Sequence, residues 1–244
     1  MDTMIAALDL DGCPDQSADA EAVLAWACAR FAPRIGLTAS FGGAAGLVLA
    51  HMIATRHPQI PIYVIDTDFL FAETYALIEQ FEARYGVVVV RVRPRLTPAA
   101  QAATHGAELW RRDPDACCLL RKVEPMERLL LGLDAWITGI RREQAPTRRA
   151  ASAIEVHERG ERRIVKLNPL AAWTNKEVWD YIFANDVPYN PLLDRGYRSI
   201  GCTYCTVASC GEDERSGRWA GHEKTECGLH TFTRPLGPDQ MAPA

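Results

Sequence analysis

Apolar and polar residues alternate along most of the chain in two distinct rhythms. Five segments repeat apolar residues every three or four positions, which predicts helices with one buried face. These predicted helices are 20–31, 44–57, 70–86, 116–132 and 174–186, and Pro125 is expected to interrupt or restart the fourth of them. Short apolar runs predict buried strands over 35–40, 60–66, 87–92 and 135–140, and a ribbon over 154–167. Strands that alternate with helices predict an α/β fold with a parallel sheet covered on both faces.

The regular pattern fades beyond Pro188, and the last fifth of the chain is rich in Gly, Cys and Arg. We therefore expect an α/β domain over residues 1–200 and an irregular Cys- and Arg-rich C-terminal tail over 201–244. Parallel sheets bind ligands at the carboxyl ends of their strands. Three loops at such ends carry polar or glycine-rich sequence, and they are 40–46, 66–68 and 139–149.

The overall composition excludes some classes of partner. Hydrophobic residues make up 48% of the 244 residues, which is ordinary for a soluble globular protein. The formal net charge of −4 argues against a general binder of nucleic acids or membrane surfaces, so any anion site must be built locally. The chain shows neither a signal peptide nor an apolar run of membrane length. We expect a cytoplasmic protein with no nucleic-acid or membrane partner.

Four of the eight cysteines form two pairs: Cys117 and Cys118 are adjacent, and Cys202 and Cys205 form a Cys-x-x-Cys motif. Disulfides are rare in the cytoplasm, which leaves a redox dithiol, a structural zinc site or an iron–sulfur cluster. A thioredoxin-type pair would not explain the tandem cysteines, and successive side chains on a helix diverge too far to share one zinc ion easily. Because a multi-iron cluster offers each thiolate a separate corner, we favour the iron–sulfur interpretation.

Cys227 lies apart from these four cysteines, in the sequence KTECGLH. Its neighbours Lys224 and His230 could favour the thiolate, whereas Glu226 would oppose it. We interpret Cys227 as a reactive thiol and Cys210, which lacks comparable basic neighbours, as incidental.

Two further features predict an anionic ligand. The loop SFGGAAG (40–46) follows a strand and opens a helix, so its backbone N–H groups could cradle a phosphate; a tight glycine turn explains the sequence equally well. Arginine recognises phosphate or sulfate through paired hydrogen bonds. Basic residues recur where the loops should converge, although several are expected to be surface residues: Arg121, Lys122, Arg141, Arg142, Arg148, Arg149, Arg215 and Arg218.

Six motifs occur together in this chain: CCLLRKVEP, TGIRREQAPTRR, KLNPLAAWTNKEVWDYI, VPYNPLLDRGYRSIGCTYCT, GEDERSGRW and KTECGLH. In combination they resemble the assimilatory adenylyl-sulfate (APS) reductases, whose near relatives are the 3′-phosphoadenylyl-sulfate (PAPS) reductases. The resemblance runs from about residue 38 to residue 230. It implies an adenine nucleotide alpha-hydrolase-like fold, with a nucleotide-binding domain over 1–200 and a cluster-binding and catalytic tail over 201–244.

The resemblance also implies roles for individual residues. One [4Fe-4S] cluster would be bound by Cys117, Cys118, Cys202 and Cys205. The nucleophile would be Cys227, with Lys122 between cluster and substrate and Arg121 beside it. The phosphosulfate would be held by Arg148 or Arg149, with Arg215 and Arg218, and the nucleotide loop would begin with Ser40, Phe41 and Gly42. That loop departs from the family pattern, because the family commonly has an acidic residue soon after SFG.

The reaction implied by the resemblance belongs to sulfate assimilation. The thiolate of Cys227 would attack adenylyl sulfate to give a cysteine S-sulfonate and AMP, and thioredoxin or a similar dithiol would then release sulfite. The cluster would rigidify the site rather than carry electrons. Three alternatives stay open: the same chemistry on PAPS, an ATP-using RNA thiolation enzyme of related fold, and a zinc-stapled nucleotide-binding module without enzymatic activity. The sequence also leaves a homo-oligomer open.

Overall fold

The structure, a computed structural model, describes residues 10–159, 162–209, 215–230 and 234–235. Its α-helices are α1 (Ala20–Phe31), α2 (Ala44–Arg56), α3 (Ala72–Tyr85), α4 (Pro98–His105), α5 (Leu109–Arg112), α6 (Pro114–Cys118), α7 (Glu124–Leu130) and α8 (Asn175–Ala184). Its strands are β1 (Ile35–Thr38), β2 (Ile62–Ile65), β3 (Val89–Val92), β4 (Ala135–Ile137), β5 (Ile154–Arg159), β6 (Arg162–Leu167) and β7 (Arg234–Pro235).

Local signals in the sequence set the ends of these helices. The Asp19 carboxylate accepts the backbone N–H of Ala22 and starts α1, as expected of an N-cap residue. Thr174 and Glu177 form a reciprocal capping box at the start of α8. Gly86 ends α3 in the left-handed conformation (φ 66°), which glycine adopts without steric cost.

Within the described residues the strands form one sheet in the order β3-β2-β1-β4-β6-β5-β7. The pairs β1–β2, β2–β3, β1–β4 and β4–β6 are parallel, which confirms the predicted α/β fold with a parallel sheet. The predicted ribbon is also confirmed, because β5 runs antiparallel to β6, and β7 then adds to β5. From β1 the chain adds β2 and β3 on one side, and it then adds β4 and the later strands on the other side of β1. The strand order therefore reverses between β1 and β4. Such a switch point is where open parallel sheets form ligand crevices.

The main hydrophobic core fills the space between the sheet and its covering helices. Strand residues such as Leu37 and Val165 pack there with helix residues such as Leu24, Leu49 and Ile78, all of them fully buried. Burial of this kind is the dominant favourable term in folding. The core therefore holds β1 and β4 in fixed positions beneath the crevice. None of the described helices is long and apolar enough to cross a membrane.

The helix expected over 116–132, with Pro125 interrupting or restarting it, is interrupted by a π-helical turn, Leu119–Val123, before α7 begins. Pro125 gives the physical reason, because proline has no N–H to donate to the carbonyl four residues earlier. Helices α4 and α5 were not predicted. The division of the chain at residue 200 stays a prediction.

Candidate active site

The glycine-rich loop between β1 and α2 forms the floor of the crevice. A Cβ atom added to Gly42 would lie 2.5 Å from the carbonyl oxygen of Ile200, so only glycine fits at this close approach of two backbones. The preceding residue, Phe41, has a φ of 53° and is completely buried. Its carbonyl accepts a hydrogen bond from Asn190 Nδ2 (3.2 Å), and its ring packs edge-on against Phe81.

A cavity of about 210 Å³ opens at the carboxyl ends of β1 and β4. Most residues from the strand loops that line it are small or apolar, apart from Arg148 in the loop after β4; the other cations and the thiol come from other segments. Of the residues predicted from the sequence, the cavity brings together Ser40, Gly42, Lys122, Arg148, Arg215, Arg218 and Cys227. A positively charged crevice with a thiol at its wall has therefore formed from five separate parts of the chain.

Three residues predicted to bind substrate do not line this cavity. Phe41 is a buried packing residue and Arg149 is exposed. Arg121 is only 1% exposed, and its guanidinium binds the oxygens of Gln101 (2.7 Å) and Asp68 (3.0 Å) while lying over the ring of Phe69. Arg121 thus joins the cysteine-bearing helices to the loop after β2, which is a structural role.

Lys122 follows Arg121 directly but faces the cavity. The π-helical turn explains why successive side chains, those of Arg121, Lys122 and Val123, are all buried. Such π-helical turns are frequent at functional sites. Lys122 is 7% exposed. Burial acts to lower the pKa of its ammonium, but the thiols of Cys202, Cys227 and Cys118 raise it overall.

The four paired cysteines are all buried and none is in a disulfide. Three of them, Cys118, Cys202 and Cys205, pack with Trp219 in one buried group of side chains, and Cys227 packs against that group. Burial raises the pKa of Cys117 to about 12, reinforced by its three partner thiols. Burial raises the pKa of Cys205 to about 11, and Cys202 adds to the shift. Within the described residues, no three His, Cys, Asp or Glu side chains form a group that could hold a metal ion.

Backbone contacts place the Cys-x-x-Cys segment beside the loop after β2. Leu70 and Cys202 form an antiparallel bridge, and the N–H of Thr203 donates to the carbonyl of Phe69 (2.8 Å). The Thr67 hydroxyl lies 3.4 Å from Cys202 Sγ. Because Leu70 also lines the cavity, the thiol cluster and the cavity share one wall.

Cys227 is half-buried and lines the cavity. Gly228 follows it with a φ of 87°, and this turn aims the backbone N–H of Leu229 at the sulfur. Burial acts to raise the pKa of Cys227, but Lys122, the Leu229 N–H, Arg218 and Arg215 outweigh burial and lower it.

His230 lines the cavity, a position that the sequence analysis did not assign to it. Its ring stacks on Trp136 with 5.4 Å between centroids. Burial, and then the charges of Arg148 and Lys166, hold the pKa of His230 well below its usual value. The imidazole is therefore uncharged at neutral pH, so it does not favour the Cys227 thiolate through a positive charge. Lys224 is instead paired with Asp115.

Two buried nitrogen atoms at the cavity have no hydrogen-bond partner within the described residues, namely Arg218 Nε and His230 Nδ1. Buried polar groups without a partner are rare in proteins and call for a ligand or a water. Both atoms can donate to an anion, Nδ1 in the appropriate tautomer. The arrangement therefore fits a small anionic ligand beside the sulfur of Cys227. Cys210 lies outside the described residues.

Comparison with known proteins identifies the fold and the family. Residues 35–208 match the phosphoadenosine phosphosulfate reductase domain. The chain belongs to the phosphoadenosine phosphosulfate reductase family. Relatives in this reductase family include the adenosine 5′-phosphosulfate reductase of Geobacillus kaustophilus, which is 47% identical over 85% of this chain and 88% of its own length. Adenosine 5′-phosphosulfate reductase 2 of Bacillus subtilis is 44% identical over 88% of this chain and 91% of its own.

Solved structures agree with this assignment to the reductase family. The phosphoadenylyl-sulfate (PAPS) reductase of Candida auris, solved as a phosphate complex, aligns with a TM-score of 0.69 and 37% identity over 78% of this chain and 91% of its own. A Candida glabrata FMN adenylyltransferase shares the fold alone, with a TM-score of 0.53 and 17% identity over 85% of this chain and 73% of its own. The adenine nucleotide alpha-hydrolase-like fold expected from the resemblance is confirmed.

Proposed function

We propose that the protein reduces adenylyl sulfate to sulfite and AMP in sulfate assimilation, with Cys227 as the nucleophile. One observation carries the proposal: the sulfur of Cys227 stands at the wall of a cavity that is also lined by Lys122, Arg215 and Arg218. A soft nucleophile and several cations around one space suit the transfer of an anionic group to sulfur. Relatives named adenosine 5′-phosphosulfate reductase, at 44–47% identity, support the choice of substrate.

In the first step the Cys227 thiolate attacks the sulfur atom of the sulfate group. A sulfur–sulfur bond forms, the bond between that sulfur and the bridging anhydride oxygen breaks, and the electron pair leaves with the phosphate of AMP. Arg218 and Arg215, which line the cavity, neutralise the charge that develops on the leaving phosphate, as fixed cations do in other anionic transition states. The neutral imidazole of His230 offers a further hydrogen bond at Nδ1.

In the second step a dithiol protein of the thioredoxin type reduces the adduct. One of its thiolates attacks Cys227 Sγ, a mixed disulfide forms, and sulfite leaves with the electron pair of the broken sulfur–sulfur bond. The second thiol of the partner then breaks the mixed disulfide and returns Cys227 as a thiolate. The two electrons come from the dithiol, which ends as a disulfide, so the balance requires no further reductant.

We also propose that Cys117, Cys118, Cys202 and Cys205 bind one [4Fe-4S] cluster. The donor set fits, because three of the four thiols are buried together with Trp219 and the fourth, Cys117, is buried close enough for the other three to raise its pKa. A cluster takes one thiolate at each of four iron atoms, so it does not require three ligands gathered on a single ion. When bound, it supplies a rigid cross-link between the two cysteine segments and negative charge near Lys122.

A second candidate substrate is 3′-phosphoadenylyl sulfate. The PAPS reductase of Candida auris aligns over most of this chain and favours this alternative, whereas the complete set of four paired cysteines favours adenylyl sulfate. Comparing kcat/KM for the two nucleotides under one dithiol donor decides between them. We expect the value for adenylyl sulfate to be the higher of the two, and the reverse order would reassign the substrate.

The test of the reaction is a single turnover without reductant. Anaerobic protein mixed with excess adenylyl sulfate should release about one AMP per active site and no sulfite until a dithiol is added. Cys227→Ser should release none. Release of AMP by the serine variant at the normal rate would contradict the proposal. Iron and sulfide analysis of the anaerobic protein tests the cluster, and zinc without iron would contradict that part.

A further inference from the structure

The residue that precedes Cys227 is a carboxylate whose two oxygens both bind arginine. Glu226 Oε1 accepts from Arg148 Nε (3.2 Å) and from the Thr147 hydroxyl (3.3 Å), and Oε2 accepts from Arg148 Nη2 (3.1 Å). Arg215 Nη2 lies 3.2 Å from Oε2 as well. The paired contact with Arg148 is the two-point geometry that makes arginine–carboxylate bonds strong and directional.

These contacts are shielded from water. The side chain of Glu226 is 16% exposed, and those of Arg148 and Arg215 are 13% and 14% exposed. Ion pairs on an open surface contribute little to stability because solvent and salt screen them. The pair between Glu226 and Arg148 is largely protected from that screening, so it can hold a segment in place.

The two arginines tie the residues before Cys227 to two different segments, Arg148 to the loop after β4 and Arg215 to an earlier part of the tail. Arg148 belongs to the short helical turn after β4 and is itself braced by Gln144 Oε1 (2.7 Å). Arg215 donates from Nε and Nη2 to the carbonyl of Thr225 (3.2 and 3.1 Å). The residues immediately before Cys227 are therefore clamped from both sides. Since consecutive Cα atoms are about 3.8 Å apart, fixing Glu226 keeps the Cα of Cys227 next to the cavity, and the Leu229 N–H then directs the sulfur.

The clamp leaves arginine donors for a ligand. Within the described residues, Glu226 and Gln144 use three N–H groups of Arg148, and a guanidinium has five. Arg148 can thus hold Glu226 and contact an anion in the cavity at the same time. The clamp does not have to open when substrate binds.

We propose that Glu226 is a positioning residue that docks the tail, holding Cys227 over the cavity through Arg148 and Arg215. This inference rests on the proposed function, in which Cys227 meets first a nucleotide in the cavity and then a larger dithiol partner. Docking serves the first encounter only. The second requires the sulfur to leave the cavity wall, so the clamp must break before a protein can reach it.

The test separates docking from chemistry with one variant and one matched control. Glu226→Gln removes the charge but keeps the shape, and Glu223→Gln makes the same change at an exposed position three residues earlier in the tail. Glu226→Asp, whose shorter side chain cannot span both arginines, provides a second variant with the charge kept. All are compared as anaerobic holoprotein with equal iron content.

The rate of limited trypsin cleavage after Lys224, measured by intact-mass spectrometry, reports whether the tail is docked. Loss of two charge-assisted bonds should speed cleavage about tenfold in Glu226→Gln, and by less in Glu226→Asp. AMP release in a single turnover should slow about tenfold. Reduction of a preformed S-sulfonate by thioredoxin should not slow and should become faster by up to about tenfold, because that step, like trypsin cleavage, uses the undocked tail.

If Glu226→Gln matches Glu223→Gln in both its trypsin cleavage rate and its AMP release rate, the inference is overturned. The proposed function would stay intact. Slower AMP release with unchanged cleavage would also overturn it, since Glu226 would then act on the chemistry and not on docking. Wild-type protein that releases no AMP would instead remove the proposed function, and the cleavage result would still report on docking.

Discussion

The two halves of the cavity are built by different means. The half formed by β1, β4 and their loops is fixed by the backbone, for example by the bond from the Thr138 N–H to the Leu167 carbonyl (2.8 Å). The half formed by residues 199–230 has no α-helix or paired strand in its described part beyond one short helical turn and single bridges. Single backbone hydrogen bonds, such as that from the Thr203 N–H to the Phe69 carbonyl, hold it together with side-chain contacts, such as the guanidinium of Arg218 packed over the ring of Trp219.

The Cys227 thiol and two of the four cations that line the described cavity come from the second half. No Asp, Glu, Lys or Arg side chain from β1, β4 or the glycine-rich loop lines the described cavity, and Arg148 in the loop after β4 is the one charged lining residue of the first half. The tail supplies Arg215, Arg218 and Cys227. A neutral, rigid floor can accept a nucleotide without competing for its charge. A thiol on a segment held by side chains can be released by breaking a few contacts, which the proposed two-step chemistry requires. Under the proposed function, the first half contributes mainly to nucleotide binding and the second half carries the nucleophile.

The largest effect is expected at the adjacent residues Arg121 and Lys122, because Lys122 lines the cavity whereas Arg121 is buried away from it. Lys122→Met should slow AMP release in a single turnover by about 100-fold or more, because it removes a fixed cation beside the reacting thiol. Its free energy of unfolding should change little, since a buried ammonium is costly to desolvate. Stopped reactions and denaturant titrations measure the two quantities.

Arg121→Met should show the opposite pattern. It leaves the oxygens of Gln101 and Asp68 without their donor, so the unfolding free energy should fall by about 2–3 kcal/mol. Activity per correctly folded, iron-loaded molecule should stay near the wild-type value. If Arg121→Met lost activity at full stability, Arg121 would belong to the ligand site after all.

The next-largest effect concerns the half of the cavity formed by β1, β4 and their loops, where the neighbouring residues Gly42 and Gly43 can be compared. Gly42→Ala should cost about 1–3 kcal/mol, because its Cβ would press on the Ile200 carbonyl at 2.5 Å. Gly43→Ala meets nothing within 4 Å and should change stability by about 0.5 kcal/mol or less, since its lost freedom in the unfolded chain offsets a weaker helix cap. Equal costs for the two would show that the close approach does not constrain the loop.

The strand-built half was predictable from the sequence because its signals are local. Helix α1 was expected over the same residues that the structure assigns to it, since Asp19 and the apolar spacing act within one element. Helix α4 was missed because it buries only Gln101 and so has almost no apolar stripe, although Thr97 and Pro98 are good start signals. The pairing of β6 with β4 was also not foreseen, because it depends on contacts between distant segments.

The half of the cavity formed by residues 199–230 could be predicted only from its sequence motifs. The cysteine and basic residues could be named from the resemblance, but their directions could not. The π-helical turn that sends Arg121 inward and Lys122 to the cavity depends on how Pro125 is accommodated. The place of His230 depends on its stacking against Trp136, a residue 94 positions earlier in the chain. Long-range packing of this kind leaves no periodic signal.

The smallest effect is a pH dependence that belongs to His230. Burial, Arg148 and Lys166 depress its pKa in the folded state, so below the ordinary histidine value of about 6.5 the unfolded chain binds a proton that the folded chain refuses. This term lowers stability as the pH falls below that value and is absent above it. His230→Gln should therefore flatten the fall in unfolding free energy between about pH 6.5 and 5.5. Parallel curves for the two proteins would mean that the imidazole titrates normally.

The most direct test of the account is the intact mass of the protein after exposure to adenylyl sulfate without reductant. We expect the wild-type mass to rise by one sulfonate group, with peptide mapping placing it on Cys227, and addition of a dithiol should remove it as sulfite. Cys227→Ser should gain no mass. A wild-type protein that forms sulfite on later addition of dithiol yet never carries the adduct would contradict the central claim, as would an adduct on any other cysteine.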